Sequence, residues 1–291
     1  MSLGRRKFMS LSVWAALNAS TSINRAGAAS DGGVKPRAAT QRLPGIAGTT
    51  MHPHETDDMK LKLRIKSISN VFEVGKTEAD YGYVENLDDG RGLTVTSYGF
   101  CSCNDEVTNI IRFYDPLAPG NSLGRFLSSL PPADDGLSPH RLAGFSDAWS
   151  EEVKATQLLP EICEMFADRL YFDPAAKFAQ DTKIVTPIGR AIIYDTLLQH
   201  GGGSDEDSLR AIYKRAAAQT AWPLLGKEQD FLLALLETRR AVLTNPHNSD
   251  TADVWRESLP RVDALRNLVN NNPQLRSPIL VRNAEVSVTV L

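Results

Sequence analysis

The spacing of hydrophobic and polar residues predicts a mainly helical chain. The first helical pattern begins near Asp57. Its apolar residues recur at the spacing of one helical face: Leu61, Ile65, Ile68 and Phe72. Residues 60–66 also alternate as a strand would, but the helical pattern continues to Gly75, so we predict a helix that ends there.

The second half of the chain carries several further helical patterns. Thr186 and Pro187 have the residue types of an N-cap and a first helical position, and consecutive glycines from Gly201 end that helix. Ser204 and Asp207 resemble a capping box for the next helix. The apolar residues of 231–243 predict a central helix, and those of 262–269 predict another.

Two segments alternate as β-strands, residues 93–100 and residues 286–290. A polar, glycine-rich turn at 88–92 precedes the first of them. Residues 29–56 are rich in glycine, alanine, proline and threonine, which predicts a flexible tether without packed structure. We therefore expect the folded part of the chain to extend from residue 57 to residue 291.

Length and composition narrow the class of protein. The chain has 291 residues, of which 42% are hydrophobic and 23% are charged, as in an ordinary globular protein of one or two domains. No apolar run is long enough to span a bilayer, and three cysteines are too few for a disulfide scaffold. These values argue against a disordered chain, a membrane bundle and a small disulfide-rich domain.

Charge is distributed unevenly along the chain. The formal net charge is −3, and the first 28 residues contribute four positive charges and no acid, so residues 29–291 carry −7. An acidic body of this kind is a poor partner for nucleic acid or an anionic membrane, and it suits a cationic substrate. The chain begins with Arg5 and Arg6, which precede a modest apolar stretch and the small-residue motif Ala26-Gly27-Ala28. This pattern predicts a signal peptide of the twin-arginine type over residues 1–28. A basic tail is the alternative.

Export would place the three cysteines in an oxidising compartment. Because cysteines two positions apart rarely bridge each other, we expect a disulfide from Cys163 to Cys101 or Cys103. Three reduced cysteines are the alternative that the sequence leaves open.

Familiar signatures of cofactor and metal chemistry are absent from the sequence. We find no phosphate-binding glycine loop, no dinucleotide fingerprint, no His-Glu-x-x-His helix and no Gly-x-Ser-x-Gly elbow. The five histidines are scattered, apart from the pair at residues 52 and 54 in the predicted tether, which we interpret as solvated. We therefore expect neither a cofactor nor a metal site.

Two carboxylates are the remaining candidates for chemistry. Glu73 lies at the end of the first predicted helix, where burial and the helix dipole both disfavour ionisation, as suits a general acid. Asp89 lies in the polar turn beside Arg91, which favours the charged form, as suits a general base. Glycosidic hydrolysis requires such a pair. From spacing alone, a surface acid and a turn former remain the alternative interpretation.

The residues around this pair resemble the catalytic block of the glycoside hydrolase family 46 chitosanases. The block comprises Glu73, residues 83–94 (YVENLDDGRGLT) and residues 99–102 (GFCS). Further motifs follow in order: Tyr114, residues 119–121, residues 171–175, Tyr194 with Asp195, His200 with Gly201, residues 237–239 and residues 261–263. The resemblance covers most of the chain from about Ser67 to Asp263.

The resemblance implies a mainly α, α+β fold that is lysozyme-like, with two helical lobes around a substrate cleft and a small β-sheet. It implies an endo-acting, inverting hydrolase of β-1,4-linked glucosamine polymers. The roles that it assigns, residue by residue, are these: Glu73 as general acid, Asp89 as general base, Thr94 as the residue that holds the attacking water, Arg91, Asp105, Tyr83 and His200 as substrate-binding residues, and Asp195, Arg239 and Arg261 as a supporting charge network.

The resemblance weakens between residues 244 and 260. Family members carry acidic residues soon after the helix of Arg239, whereas this chain has Asn245-Pro246 and reaches Arg261 only 22 positions after Arg239. An inserted turn or loop is the simplest explanation. If Arg261 were not the equivalent arginine, the charge network would lack a cation.

The expectation is therefore a secreted chitosanase with a catalytic domain over residues 57–291. We expect it to act as a monomer on chitosan, a cationic polysaccharide, without binding nucleic acid or membranes. Two alternatives remain at this point: a lysozyme-like peptidoglycan hydrolase, and a secreted sugar-binding protein that has lost turnover.

Overall fold

The computed structural model describes residues 57–86, 92–130, 142–247, 252–283 and 286–291. The helices in these residues are α1 (Asp57–Val74), α2 (Asp105–Tyr114), α3 (Phe145–Ala155), α4 (Leu158–Ala167), α5 (Asp173–Asp181), α6 (Pro187–His200), α7 (Leu209–Thr220), α8 (Glu228–Thr244), α9 (Ala252–Arg256) and α10 (Leu259–Asn271). The strands are β1 (Val84–Asn86), β2 (Leu93–Val95), β3 (Phe100–Cys101), β4 (Ile279–Asn283) and β5 (Val286–Val290). A π-helical turn, Asp168–Phe172, joins α4 to α5. The predicted mainly α, α+β class is confirmed.

Helix α1 confirms the first helical prediction. It ends where the sequence places its stop, because Gly75 adopts a φ of +69° and its N–H donates to the Val71 carbonyl at 3.1 Å. The second half of the helix is buried, and its buried residues include Lys66, Ser69 and Glu73 as well as apolar side chains. These three positions fall on one face of the helix, so α1 carries polar groups into the interior.

Helix α6 is buried along nearly its whole length and contacts α1, α5, α7, α8 and α10. The predicted cap is confirmed, because the Thr186 hydroxyl accepts a hydrogen bond from the Gly189 N–H at 3.1 Å. At the other end Gly201 has a φ of +72° and closes the helix. A helix that is buried on every side lies in a core, so the polar residues of α6 face protein rather than water.

The predicted strand over residues 93–100 is two strands joined by a tight turn. Strands β1, β2 and β3 form an antiparallel sheet, in which Thr94 pairs with Glu85 on one side and with Cys101 on the other. The turn arises because Thr96 and Gly99 have positive φ values of 60° and 77°, and the Gly99 N–H donates to the Thr96 carbonyl. The strand prediction at 286–290 is confirmed by β5, which pairs with β4.

The predicted capping box before α7 is wrong. The N-cap is Ser208, whose hydroxyl accepts from the Ala211 N–H. Asp207 is instead bonded through its Oδ2 to the N–H of His247, which lies in the loop after α8. The sequence motif was misleading because a tertiary contact uses the carboxylate that the cap would need.

The predicted helices at 231–243 and 262–269 are confirmed by α8 and α10, which pack against each other. The segment that links them contains a short helix, α9, and is therefore more than an inserted loop. Trp255 of α9 is buried, and its ring and that of His200 meet edge to face with their centroids 4.9 Å apart. The link thus contributes a large side chain to the core beside α6.

The predicted disulfide to Cys163 is wrong. Cys101 and Cys103 form a disulfide with each other, and Cys163 is a free thiol buried in α4. The chain turns between β3 and α2, which brings the two Cα atoms to 5.2 Å, within the usual range for a bridge. The sequence rule fails because it assumes an extended chain between neighbouring cysteines.

Across the parts of the chain that the structure describes, no helix combines the length and the apolar character that crossing a membrane requires. The predicted signal peptide (1–28) and tether (29–56) lie outside the described residues, as do the histidines at 52 and 54.

Candidate active site

Glu73 occupies the last turn of α1, and only 8% of its surface is exposed. Its Oε1 accepts a hydrogen bond from Nη1 of Arg261 on α10 at 2.5 Å. Burial raises the pKa of Glu73 above its ordinary value, and this effect outweighs the opposing charge and hydrogen bond of Arg261. The structure therefore favours a carboxyl group that holds its proton more tightly than an exposed glutamate.

Asp195 of α6 is the centre of the charge network. Oδ1 accepts from the Ser69 hydroxyl at 2.8 Å and from Arg261 Nη2 at 2.7 Å, and Oδ2 accepts from Arg239 Nη1 at 2.7 Å and Arg261 Nε at 2.8 Å. Burial alone would raise the pKa of Asp195, but the two arginines lower it to about 2. Asp195 therefore stays ionised and fixes both guanidinium groups.

Arg239 of α8 distributes its donors along α6. Besides Asp195, Nη1 donates to the Thr196 hydroxyl at 3.3 Å, Nη2 donates to the Gln199 side-chain oxygen, and Nε donates to His200 Nε2 at 3.2 Å. Arg239 has no exposed surface. Because its donors are all directed inward, its role is to hold α8 against α6.

His200, which the resemblance assigns to substrate binding, is completely buried in the structure. Its Nε2 accepts from Arg239, so Nδ1 carries the proton and donates to the Asp207 carbonyl at 3.0 Å. Burial lowers the pKa of His200 well below its ordinary value, and the nearby charge of Arg239 lowers it further. In this arrangement His200 is a neutral member of the charge network.

The structure places the other predicted residues near the sheet. Thr94 is buried in β2, in register with Glu85. Tyr83 is partly buried just before β1, and its hydroxyl donates to Glu85. Asp105 is exposed at the first position of α2. Asp89 and Arg91 belong to the connection between β1 and β2 and lie outside the described residues.

Sequence reasoning missed Ser69, Thr196 and Gln199 as members of the charge network. A signal was present for Ser69, since it lies one helical turn before Glu73 and therefore shares its face. Thr196 and Gln199 had no such signal, because nothing in the sequence shows that α6 is buried on every side. The structure brings together Glu73, Asp195, Arg239 and Arg261, which the sequence grouped only by resemblance.

The charge network can support acid catalysis. When Glu73 is ionised, the two carboxylates of the network, Glu73 and Asp195, balance its two arginines. When Glu73 is protonated, the network keeps one net positive charge beside the Asp195 carboxylate. Arg261 engages Oε1 of Glu73, which leaves Oε2 as the oxygen available for a proton. Among the residues that the structure describes, no group of three or more histidine, cysteine, aspartate or glutamate side chains is arranged to hold a metal ion.

Comparison with known proteins points to one family. The sequence model of glycosyl hydrolase family 46 matches residues 67–279. The chain is 37% identical over 234 residues to a chitosanase of Bacillus subtilis strain 168, a match that covers 77% of this chain and 82% of that protein. It is 32% identical over 202 residues to a chitosanase of Streptomyces sp. strain N174, covering 68% and 71%.

Solved structures agree with the sequence comparison. A family 46 chitosanase of Gynuella sunshinyii in complex with chitotetraose superposes with a TM-score of 0.72 at 32% identity, covering 80% of this chain and 98% of that one. The native chitosanase of Bacillus subtilis MY002 also gives a TM-score of 0.72, at 35% identity and the same coverage. This likeness confirms the lysozyme-like fold class expected from the resemblance.

Proposed function

The chain belongs to glycosyl hydrolase family 46, and from this membership we propose that it cleaves chitosan, a β-1,4-linked glucosamine polymer, at internal bonds. Its class as a glycoside hydrolase follows directly from the family. The observation that carries the proposal is the buried Glu73 carboxyl, tied through Arg261 to Asp195. The chitotetraose bound by the Gynuella sunshinyii relative supports the choice of substrate.

We propose Glu73 as the general acid that protonates the leaving glycosidic oxygen. Two features support this role: burial keeps its pKa raised, and Arg261 fixes the carboxyl through one oxygen while the other is left for the proton. After proton transfer, the new carboxylate faces the positive charge of Arg261. That charge favours the transfer without needing to be reorganised during the reaction.

We propose Asp89 as the general base, with Thr94 helping to hold the water that attacks the anomeric carbon. Thr94 lies in strand β2, five positions after Asp89 in the sequence, which supports their joint role. Attack by water on the face opposite to the leaving group inverts the anomeric configuration. Such a mechanism requires the two carboxyl groups to stand about 6.5–9.5 Å apart, with the water between them.

We propose that Arg91, Asp105 and Tyr83 line the path of the polymer. Asp105 is exposed at the start of α2, where its carboxylate can attract a protonated amino sugar. The net charge of −7 over residues 29–291 supports the same substrate, because chitosan is a polycation below its amine pKa. We also propose that residues 1–28 direct export and that the enzyme acts as a monomer.

The test is the release of reducing ends from highly deacetylated chitosan by the mature protein and by Glu73→Gln, at mildly acidic pH. We expect robust release by the unaltered chain and a loss of about 10²–10⁴-fold in the variant. Glu237→Gln, which changes an exposed glutamate of α8, is the matched control and should retain activity. Proton NMR of the first products should show the α-anomer if the mechanism inverts.

Peptidoglycan, assayed in parallel, separates the remaining alternatives. Release from peptidoglycan but not from chitosan would replace the proposal with a cell-wall hydrolase. Binding of chitosan without release by the unaltered protein would replace it with a sugar-binding function.

A further inference from the structure

Glu164 of α4 gathers three donors that are distant in sequence. Its Oε1 accepts from the Tyr81 hydroxyl at 2.6 Å and also from the Tyr98 hydroxyl, and its Oε2 accepts from the Lys66 ammonium group. We refer to these four residues as the Glu164 clamp. One carboxylate can accept several hydrogen bonds at once, and bonds to an ionised group are stronger than neutral ones.

The three donors of the clamp come from the elements that frame the proposed catalytic centre. Lys66 lies on α1, on the same face as Glu73 and about 10.5 Å away along the helix at 1.5 Å per residue. Tyr81 lies three positions before β1, and Tyr98 lies in the turn between β2 and β3. The clamp therefore joins the helix of the proposed acid to the open end of the β1–β2 hairpin, where the chain enters β1 and leaves β2.

Two members of the clamp, Lys66 and Tyr81, also contact residues outside it. Lys66 is buried and also donates to Asp168 at 2.8 Å, and its ammonium group lies 5.3 Å from the centre of the Tyr98 ring. The Trp149 indole N–H donates to the Tyr81 carbonyl at 2.8 Å. Burial is the main cause that raises the pKa of the Tyr98 hydroxyl, and the neighbouring Tyr194 and Glu164 raise it further, so the hydroxyl remains a donor.

The β1–β2 hairpin is short, and backbone hydrogen bonds join the residues just before β1 to those just after β2. The Ser97 N–H donates to the Asp80 carbonyl at 2.8 Å, and the Thr96 N–H donates to the Tyr83 carbonyl at 2.7 Å. These bonds fix the strands to each other, but none of them connects the hairpin to α1. The hydrogen bonds that link Lys66 of α1 to Tyr81 and Tyr98 run through Glu164, beside the direct contact of Lys66 with the Tyr98 ring.

We propose that Glu164 is a positioning residue that sets the separation between Glu73 on α1 and the β1–β2 hairpin, which carries Thr94 and the proposed base. The inference rests on the roles proposed above for Glu73 and Asp89. An inverting mechanism needs room for one water between the two carboxyl groups. An error of about 1 Å in such a geometry can reduce the rate by about 100-fold.

The experiment compares Glu164→Gln with Asp168→Asn. Both substitutions remove one negative charge next to Lys66, but only the first disturbs the bonds to Tyr81 and Tyr98. We expect Glu164→Gln to lower kcat on chitosan by about 10- to 100-fold with little change in KM, and Asp168→Asn to leave kcat nearly unchanged. Equal losses in the two variants would overturn the proposal, because they would reflect charge or stability alone.

A second pair of variants guards against misfolding of Glu164→Gln. Tyr98→Phe removes one hydroxyl of the clamp, and Tyr114→Phe removes the equivalent hydroxyl of a separate pair, in which Tyr114 donates to Glu152 at 2.7 Å. We expect kcat to fall in Tyr98→Phe and not in Tyr114→Phe. An unchanged kcat in a folded Tyr98→Phe protein would contradict the proposal.

Hydrogen exchange provides a readout that does not depend on activity. The amides of residues 93–101 should exchange faster in Glu164→Gln and Tyr98→Phe than in their controls, because the hairpin loses its connection to α1. If the unaltered protein releases no sugar, the proposed function fails, whereas the exchange result still decides whether Glu164 holds the hairpin. Unchanged exchange in both clamp variants would refute the inference by itself.

Discussion

At the scale of single residues, the protonation of Glu73 depends on burial and on Arg261. Burial raises the pKa of Glu73, and the arginine counteracts part of that rise through its charge and its hydrogen bond. A general acid works only while it is protonated, so activity declines as the pH rises through its pKa. The alkaline limb of the pH profile therefore reports the contact between these two residues.

Arg261→Lys tests this balance. A lysine ammonium group cannot bond to both Glu73 and Asp195 in the way the guanidinium fork does, so the lowering effect on the pKa of Glu73 becomes smaller. We expect the alkaline limb of kcat/KM to move to higher pH while the maximum rate falls. The measurement is reducing-end release as a function of pH.

Arg266→Lys is the control for that experiment. It makes the same substitution on the same helix, at an arginine that bonds to the partly exposed Glu237 at 2.5 Å. Its pH profile should match that of the unaltered protein. A shift of the Arg261→Lys limb to lower pH would show that Arg261 does not hold down the pKa of Glu73.

At the scale of elements, the short helix α9 supports the charge network from outside it. Trp255 packs edge to face against His200, which in turn accepts a hydrogen bond from Arg239 and donates one to the Asp207 carbonyl. Asp207 also bonds to the N–H of His247. His247 and Trp255, two described residues of the segment where the family resemblance is weakest, thus contact residues of the network or their hydrogen-bond partners.

Trp255→Ala should disturb both stability and catalysis. Loss of a buried tryptophan costs about 3–5 kcal/mol of unfolding free energy, and the cavity would lie directly beside His200. We expect kcat to fall at temperatures where the protein remains folded. Urea unfolding and reducing-end release measure the two effects.

Phe231→Ala is the matched control, because Phe231 is equally buried but packs on Tyr213 and Trp222 between α7 and α8. It should cost a similar free energy of unfolding without an equal loss of kcat. If the two variants lose kcat in parallel, α9 contributes only to stability.

Local sequence patterns predicted the elements whose ends are set by local chemistry. Helix α6 is one case, because Thr186 caps it and Gly201 closes it within the same segment. The failures involve contacts that are distant in sequence. Asp207 did not cap α7 because His247 uses its carboxylate, and the cysteine prediction failed because the chain turns after β3.

The same limit applied to the candidate site. Glu73 could be found because its position at a helix end suggested a raised pKa, and its network partners were found by resemblance. The motif that contains His200 did not show that its side chain is completely buried, because burial depends on contacts distant in sequence. Glu164 could not be found at all, since its three donors lie 66 to 98 positions away in the sequence.

At the scale of the whole molecule, α1 connects two polar clusters, one buried and one partly buried. Ser69 and Glu73 join α1 to the charge network on α6, α8 and α10, and Lys66 joins it to the Glu164 clamp on α4 and the sheet. The position of the proposed acid relative to the rest of the protein therefore depends on both clusters. A change in either one should reach the catalytic centre through a single helix.

The acidic net charge makes a prediction for the whole molecule. Because residues 29–291 carry −7 and chitosan is cationic, capture of the polymer should weaken as salt screens the attraction. Between about 0.01 M and 0.1 M salt, the Debye length falls from about 30 Å to about 10 Å. We expect KM to rise over this range while kcat changes little, since the buried ion pairs around Glu73 are screened far less.

Asp105→Asn should raise KM at low salt and flatten its salt dependence, whereas Asp181→Asn, which removes the same charge from α5, should do so much less. A KM that is independent of salt, or equal effects of the two variants, would mean that the acidic surface plays no specific part in substrate capture.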